Sequence, residues 1–179
     1  MPQAGSAGRE PQMWGTVSVI RPFSSWTSRE RLSGCQKALW EAGLELDREL
    51  IFESFEDGSK EFGYQTIRKL LAGDAKVDGL FIANHPIAEG ALRALGELSC
   101  AASKQMKICS FDEPDSPFSA YFHLIIVKQP VRMIGARAGK LLLERIDERA
   151  SGKPRTPGRH IMLSPQIQVK PPRAAGGAS

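Results

Sequence analysis

The chain has 179 residues, a net charge of +4 and 41% hydrophobic residues, which is the balance of an ordinary globular protein. The length suits one domain with its own hydrophobic core. Collagen-like, coiled-coil and wholly disordered classes are therefore excluded. The positive charge is too slight to indicate nucleic-acid binding by itself.

The cysteines and the apolar stretches indicate a protein of the cytoplasm. Cys35, Cys100 and Cys109 are scattered and form no CxxC pair, so a reducing compartment is predicted. The longest apolar stretch, residues 124–127, is too short to span a bilayer. Residues 1–13 lack the apolar segment of a signal peptide. We therefore expect a cytoplasmic protein with no membrane contact.

The two ends of the chain differ from its middle. Residues 1–13 and 171–179 are rich in Gly, Ala and Pro and show no periodicity, so both are predicted to be disordered tails. Residues 14–170 remain for one folded domain.

Between the tails, strand patterns alternate with helical patterns. The predicted strands are 16–20, 50–55, 77–83, 106–110, 121–127, 160–163 and 166–169. The predicted helices are 29–42, 62–71, one that starts at Pro86, and 131–146. Gly43 and Gly73 follow the first two helices, where C-caps belong. The run 77–83 is almost wholly apolar, which predicts a strand covered on both faces.

This alternation predicts an α/β fold with a mostly parallel sheet and helices on both faces. Ligands of such sheets bind beyond the carboxyl ends of the strands. The loops after Ile20, Ala83 and Ser110 are therefore the first places to look for a site.

Common catalytic motifs are missing from the sequence. Residues 135–140 (GARAGK) have the wrong spacing for a phosphate loop and lie in a helical pattern. The three histidines have no Cys or carboxylate at ligand spacing, and no GxSxG motif occurs. Asp112 and Glu113 could form a carboxylate pair, but acidic loops next to proline are more often solvated turns. We expect no metal, no cofactor and no enzymatic activity.

Five segments, taken in order, resemble the sensor domain of LacI/GalR-type transcription regulators. They are residues 28–43 (SRERLSG, then AL and EAG), 63–71 (GY, then LL), 77–95 (VDGLFIANHPIAEGALRAL), 110–113 (SFDE) and 127–142 (VKQP, then MIG, A and LL). Each motif is weak alone, but together they cover about residues 16–169. The resemblance implies a type I periplasmic-binding-protein-like lobe that is incomplete.

The resemblance also implies a small effector, such as a sugar or nucleoside, bound between two lobes. Arg31, Asn84 and Asp112 match the family's ligand-facing Arg, Asn and Asp, and Gln129 matches its hinge-side Gln. A guanidinium clamps hydroxyls or a carbonyl, Asn can donate and accept, and a carboxylate accepts strong hydrogen bonds from hydroxyls. Three further candidate ligand-binding residues, Ser25, Trp26 and Thr27, lie in the predicted loop that leads to Arg31.

Structural roles remain open for these residues. Arg31 could be a solvated arginine on a helix surface, and Asn84 could cap a helix. Asp112 could be an exposed turn residue. Trp26 could stack on a sugar ring or pack in a core or an interface.

The sequence also departs from the family pattern. His85 replaces an Asp that caps the following helix in the family, and His is a poorer cap. Glu113 replaces a second Asp. Family members begin with a helix-turn-helix domain and a first lobe, which we do not find here. Helix 131–146 packs on that lobe in the family, so its apolar stripe is expected to lack a cover.

We expect the effector-sensing part of a LacI-type regulator that reads DNA only through a helix-turn-helix domain missing here, and that forms a homodimer at full length. The chain could be a fragment, a truncated product or one half of a pair. A solute-binding protein of the same fold remains an alternative. An enzyme that uses Asp112 and Glu113 is a weaker one.

Overall fold

The computed structural model describes residues 17–22, 25–55, 59–73, 77–98, 106–152, 154 and 156–173. The predicted tail 1–13 and residues 174–179 of the second tail lie outside this part of the chain. The strands are β1 Val17–Pro22, β2 Ile51–Ser54, β3 Gly79–Ile82, β4 Lys107–Phe111, β5 His123–Lys128 and β6 Gln166–Lys170. The helices are α1 Trp26–Glu41, α2 Lys60–Ala72, α3 His85–Leu98 and α4 Val131–Ala150.

The six strands form one sheet in the order β2-β1-β3-β4-β5-β6. β1 to β5 run parallel, and β6 pairs antiparallel with β5. In the register, Ile20 lies beside Ile82 and Ile82 lies beside Ser110. The carboxyl ends of β1, β3, β4 and β5 therefore meet at one edge, as the predicted mostly parallel sheet requires.

Helices α2 and α3 cover one face of the sheet and carry most of the core. Ile67, Leu92 and Leu95 are fully buried there. The two helices approach at glycines: a Cβ on Gly63 would lie 2.1 Å from the Ile87 carbonyl oxygen, and one on Gly90 would lie 1.7 Å from the Lys60 carbonyl oxygen. Only a residue without a side chain fits at either position.

Helix α1 lies on the opposite face and covers it only in part. Along β3, Leu80 and Ile82 are buried towards α2 and α3, whereas Gly79 and Phe81 are half-exposed towards α1. Among the described residues, this run is therefore covered fully on one face and only in part on the other. Its continuous apolar character reflects a groove between α1 and the sheet, which no described segment fills.

Both predicted glycine caps are found, with different geometries. Gly43 has φ +74°, and Leu44 N–H donates to the Leu39 carbonyl at 2.8 Å, so the chain reverses in the left-handed conformation that favours glycine. Gly73 closes α2 with φ −90°, a conformation open to any residue.

Helix α4 projects from the carboxyl edge of the sheet and is exposed throughout its first half. The predicted helix 131–146 is confirmed and continues to Ala150. The predicted strand 160–163 is wrong, because no described strand lies beside it to complete a ladder. Ile161 and Leu163 instead line a shallow pocket of about 440 Å³ together with Ile134 and Leu141 of α4. Within the described residues, no helix is both long enough and apolar enough to cross a membrane.

Candidate functional site at the carboxyl edge of the sheet

Four of the predicted ligand-binding side chains follow the carboxyl ends of four neighbouring strands. The segment after β1 leads to Arg31, β3 to Asn84, β4 to Asp112 and β5 to Gln129. The parallel register brings these ends together, so residues separated by nearly 100 positions share one edge.

Arg31 is held against the ends of β3 and β4. Its guanidinium donates to the Ala83 carbonyl oxygen at 2.5 Å and lies 4.1 Å from the centre of the Phe111 ring. Burial lowers the pKa of Arg31, and the negative charge of Asp112 opposes that shift. The alternative of a fully solvated surface arginine is thus excluded. The guanidinium remains charged and has donors beyond the one used on Ala83.

Asp112 and Gln129 form the second pair of the site. The Asp112 carboxylate accepts from Gln129 N–H at 3.1 Å and from Gln129 Nε2 at 2.6 Å. Asp112 has φ +61°, and among the described residues it is the one non-glycine residue in the left-handed region. Its own N–H donates to the Val127 carbonyl at 3.0 Å. These bonds fix the carboxylate at the corner between β4 and β5.

Asn84 caps helix α3. Its Oδ1 accepts from Ile87 N–H at 3.0 Å, and its carbonyl accepts from Ala88 N–H at 3.2 Å. The expectation that His85 weakens this cap is wrong, because the cap is one residue earlier. The capping bond occupies Oδ1 of the amide.

Ser25, Trp26 and Thr27 do not lie in a loop, as predicted, but at the start of α1. Ser25 is the N-cap: its hydroxyl accepts from Ser28 N–H at 3.4 Å and bonds the Thr27 hydroxyl at 2.7 Å. The cap starts the helix three residues earlier than the apolar pattern indicated. Trp26 is 65% exposed, which excludes the core role for its ring.

The structure thus brings Arg31, Asp112 and Gln129 into one cluster, with Asn84 next to the carbonyl that Arg31 contacts. Ser25 and Thr27 bond each other and the start of α1 rather than this cluster, and the Trp26 side chain is exposed. Phe111 was missed as a site residue, although it supplies the ring under Arg31. Its position beside Asp112 in the SFDE segment was the available signal.

The predicted carboxylate pair does not form a reactive centre. Asp112 is bound by Gln129, whereas the Glu113 carboxylate faces Lys170 and lies 3.7 Å from Lys128 Nζ. The bond from Lys170 is the main cause that lowers the pKa of Glu113. A charged, lysine-bound Glu113 is no proton donor at neutral pH, so the enzyme alternative loses the feature it rested on. The described residues also contain no cluster of three or more His, Cys, Asp or Glu that could hold a metal.

A groove between α1 and the sheet, with a volume of about 820 Å³, lies next to the site. Arg31 and Phe111 belong to both the groove and the polar cluster. The remaining lining is mostly apolar and comes from α1, β3, β4 and β5. The groove therefore adjoins the polar cluster without being centred on it.

The family described as the periplasmic binding protein-like domain matches residues 16–170, nearly the whole described chain. The chain belongs to this family. That assignment agrees with the mixed α/β fold and with the site at the carboxyl edge.

Relatives that are similar in sequence are transcription regulators of the LacI type. The HTH-type transcriptional repressor PurR of Pasteurella multocida is 32% identical over 132 residues, which are 74% of this chain and 39% of that protein. The chain therefore spans about two fifths of the length of this relative. Because these relatives are transcription regulators and not enzymes, they support the prediction that the chain has no enzymatic activity.

Solved structures of transcription regulators share the fold of this chain. The structure of a ribose operon repressor from Burkholderia thailandensis, described there as putative, is 28% identical, with a TM-score of 0.63 and coverage of 86% of this chain and 53% of that one. A complex of the transcriptional regulator CelR with cellobiose shares the fold at 24% identity and a TM-score of 0.64, covering 87% of this chain and 45% of that one. The similarity covers the sensor domain of these regulators.

Proposed function

We propose that this chain is the effector-sensing lobe of a LacI-type transcription regulator and that it binds a small polyhydroxylated metabolite, a sugar or a nucleoside. The observation that supports this most is the convergence of Arg31, Asn84, Asp112 and Gln129 at the carboxyl edge of the sheet. The cellobiose bound by the CelR neighbour supports a sugar in particular.

Each polar residue has a distinct role in this proposal. Arg31 donates its remaining N–H groups to hydroxyl or carbonyl oxygens of the ligand. Asp112 accepts from ligand hydroxyls with the lone pairs that Gln129 leaves free, since a carboxylate has about four acceptor positions. Asn84 donates through its amide nitrogen while Oδ1 caps α3.

The start of α1 supplies the remaining contacts. The exposed ring of Trp26 offers a face for the C–H side of a sugar. The Ser25 and Thr27 hydroxyls add small polar contacts once a ligand crosses the edge. Because the Ser25 and Thr27 hydroxyls bond each other rather than the cluster, the ligand itself would join the two groups.

The whole regulator, in this proposal, acts in the cytoplasm as a homodimer and reads DNA through a helix-turn-helix domain that is distinct from the sensor domain of residues 16–170. Closure of two lobes on the effector changes the relation between the DNA-binding domains, which is a coupling of two sites. The family relatives favour this role over that of a solute-binding protein.

Thermal unfolding of the purified chain against a panel of sugars and nucleosides tests the proposal. A ligand at a hundredfold excess over its Kd stabilises the native state by about 2.7 kcal/mol. Arg31→Ala should abolish the upward shift in Tm. Arg29→Ala is the matched control, since Arg29 is an exposed arginine two positions away on the same helix.

A cooperative transition that no sugar or nucleoside shifts would contradict the proposal for this chain. So would a shift that survives Arg31→Ala, because the ligand would then bind elsewhere. A shift lost in both arginine variants would indicate a general charge effect instead of the site.

A further inference from the structure

Helix α3, which the structure describes in full, carries one charged side chain among its buried residues. That residue is Glu89, which is 7% exposed, whereas the other buried residues of α3 are aliphatic or glycine. A buried carboxylate costs free energy unless charged or polar partners surround it. The partners of Glu89 therefore indicate what the residue does.

Three groups meet this carboxylate. Its Oε1 atom accepts from the Asp115 N–H at 3.2 Å and lies 3.0 Å from the Nε2 atom of His85. Its Oε2 atom pairs with the ammonium group of Lys60, at the start of α2. Burial raises the pKa of Glu89, but Lys60, His85 and the Asp115 N–H outweigh burial and hold the pKa below its usual value. Glu89 is therefore ionised at neutral pH and joins α2, α3 and the segment after β4.

The packing of α2 against α3 does not need this charge. Lys60 is 66% exposed and His85 is 42% exposed, so water would solvate both cations without Glu89. The two helices already meet closely at glycines. The Asp115 N–H is different, because it belongs to residues 112–116, which lie outside the helices and strands. Glu89 is therefore placed to fix a loop.

That loop begins with Asp112 of the polar cluster. The Asp112 backbone has φ +61°, and a residue with a side chain keeps such a strained conformation only where its surroundings fix the chain. On one side, the Asp112 N–H donates to the Val127 carbonyl and the carboxylate is bound by Gln129. On the other side, three residues along, the bond from Asp115 to Glu89 holds the loop. Loss of this bond would let Asp112 relax.

Glu89 also lies on the helix that begins beside Asn84. Asn84 caps α3, and His85 follows it directly. Since Oε1 of Glu89 contacts both His85 and Asp115, one atom bridges the start of α3 and the loop of Asp112. A shift of this loop relative to α3 would change the separation between Asn84 and Asp112.

We propose that Glu89 is a positioning residue of the effector site, which holds Asp112 at a fixed place relative to Asn84 without touching the ligand. This inference rests on the proposed function, in which Asn84 and Asp112 are ligand contacts. Because the carboxylate acts on a loop, its loss should affect the order of the loop and the affinity for ligand far more than the stability of the domain.

Amide hydrogen exchange of the full chain, followed by NMR, gives the first test and needs no ligand. Glu89→Leu puts an apolar side chain in place of the buried carboxylate, a kind of exchange that often leaves stability unchanged. The Asp112 N–H, whose acceptor is Val127, should then exchange at least about tenfold faster. Glu97→Leu is the matched control, because Glu97 lies on the same helix and bonds Tyr64 of α2. It should leave the exchange of Asp112 within a factor of about two.

Calorimetric titration with cellobiose gives the second test. Glu89→Leu should raise the Kd for cellobiose at least about tenfold, with a Tm close to that of the parent. Glu89→Gln keeps an oxygen that can accept from the Asp115 N–H, so its Kd should stay within about threefold of the parent. A residue that only stabilises the fold would not lose affinity at constant Tm and regain it with glutamine.

The proposal is overturned if Glu89→Leu leaves the exchange of Asp112 as in the parent, or leaves the Kd unchanged in a chain that binds cellobiose. It is also overturned if Glu89→Leu and Glu97→Leu have equal effects. A parent chain that does not bind cellobiose counts against that sugar as the effector, and the amide exchange then decides on Glu89 alone. If Glu89→Leu does not fold, Glu89→Met, which is unbranched like glutamate, replaces it and must give the same losses.

Discussion

Gln129 holds Asp112 with two hydrogen bonds at once, one from its backbone N–H at 3.1 Å and one from its side-chain amide at 2.6 Å. Asp112 needs this support because its backbone is in the left-handed region, which costs a non-glycine residue about 1 kcal/mol or more. The two bonds from Gln129 thus hold the strained Asp112 in place, beside the point where the chain leaves β5 for α4.

Gln129→Ala should destabilise the fold by about 1 kcal/mol, since it removes a hydrogen bond to a charged group but keeps the backbone bond to Asp112. Urea unfolding measures the change. Gln65→Ala is the control, because Gln65 bonds Glu61 on the exposed surface of α2, and such a pair contributes only about 0.5 kcal/mol or less. Equal effects of the two substitutions would show that Asp112 does not rely on its partner.

Gly90→Ala should destabilise the domain severely, by about 3 kcal/mol or more, because the new Cβ meets backbone atoms of Lys60 that cannot move aside. Gly139→Ala on α4 should instead stabilise by about 0.5–1 kcal/mol, since nothing lies within 4 Å and alanine favours a helix. Thermal and urea unfolding of both variants check the opposite signs. A mild effect of Gly90→Ala would mean that α2 and α3 pack less closely than described.

Glu113 should contribute to stability in a pH-dependent way. Its bond with Lys170 places the pKa below the ordinary value of 4.5 in the folded state, so the unfolded chain takes up the proton first as the pH falls. The contribution is complete above the unfolded pKa and is lost as the pH falls through the folded pKa. Because the side chain is 41% exposed, solvent weakens the effect.

Glu113→Gln should therefore flatten the decline of unfolding free energy between about pH 5 and pH 3. The measurement is urea unfolding at several pH values, and the difference between variant and parent isolates Glu113 from other acids. Glu45→Gln, at an exposed position in the segment after α1, serves as the control. If the unfolding free energies of Glu113→Gln and the parent change with pH in parallel, the Lys170 bond does not have this role.

Cys109 should be unreactive in the native state. Burial in the groove, with a smaller effect of Cys35, raises the pKa of this thiol to about 11. At pH 8 the thiolate fraction is then about two orders of magnitude below that of a free cysteine. Alkylation with iodoacetamide, followed by peptide mass spectrometry, should label Cys109 far more slowly than the same residue in urea. Fast labelling of the native chain would show that the groove is more polar than described.

The order of strands and helices could be predicted from the sequence because hydrophobic periodicity and glycine caps are local signals. Gly43 ends α1 with φ +74° at the position expected of it. The predicted strand 160–163 shows the limit of such signals. Its short apolar run, Ile161 to Leu163, is typical of a strand, but a strand also needs a neighbouring strand, and that neighbour cannot be read from the local sequence.

The residues of the polar cluster could be named from the sequence, but the contacts between them could not be derived from it. The resemblance named Asp112 and Gln129 separately, but their bond depends on the register in which Phe111 lies beside Val127. The stacking of Arg31 on Phe111 likewise depends on where α1 crosses the sheet. Such relations follow from tertiary packing, which overrides local propensity and cannot be derived from spacing along the chain.

Helix α4 leaves the sheet after β5, and the segment that follows the helix returns to the sheet through β6, so both connections lie at one corner. Asp112 and Gln129 lie at this corner and are bound to each other. Any molecule that competes with Gln129 for the Asp112 carboxylate therefore acts where the chain turns from the sheet into α4, a 20-residue helix about 30 Å long at 1.5 Å per residue.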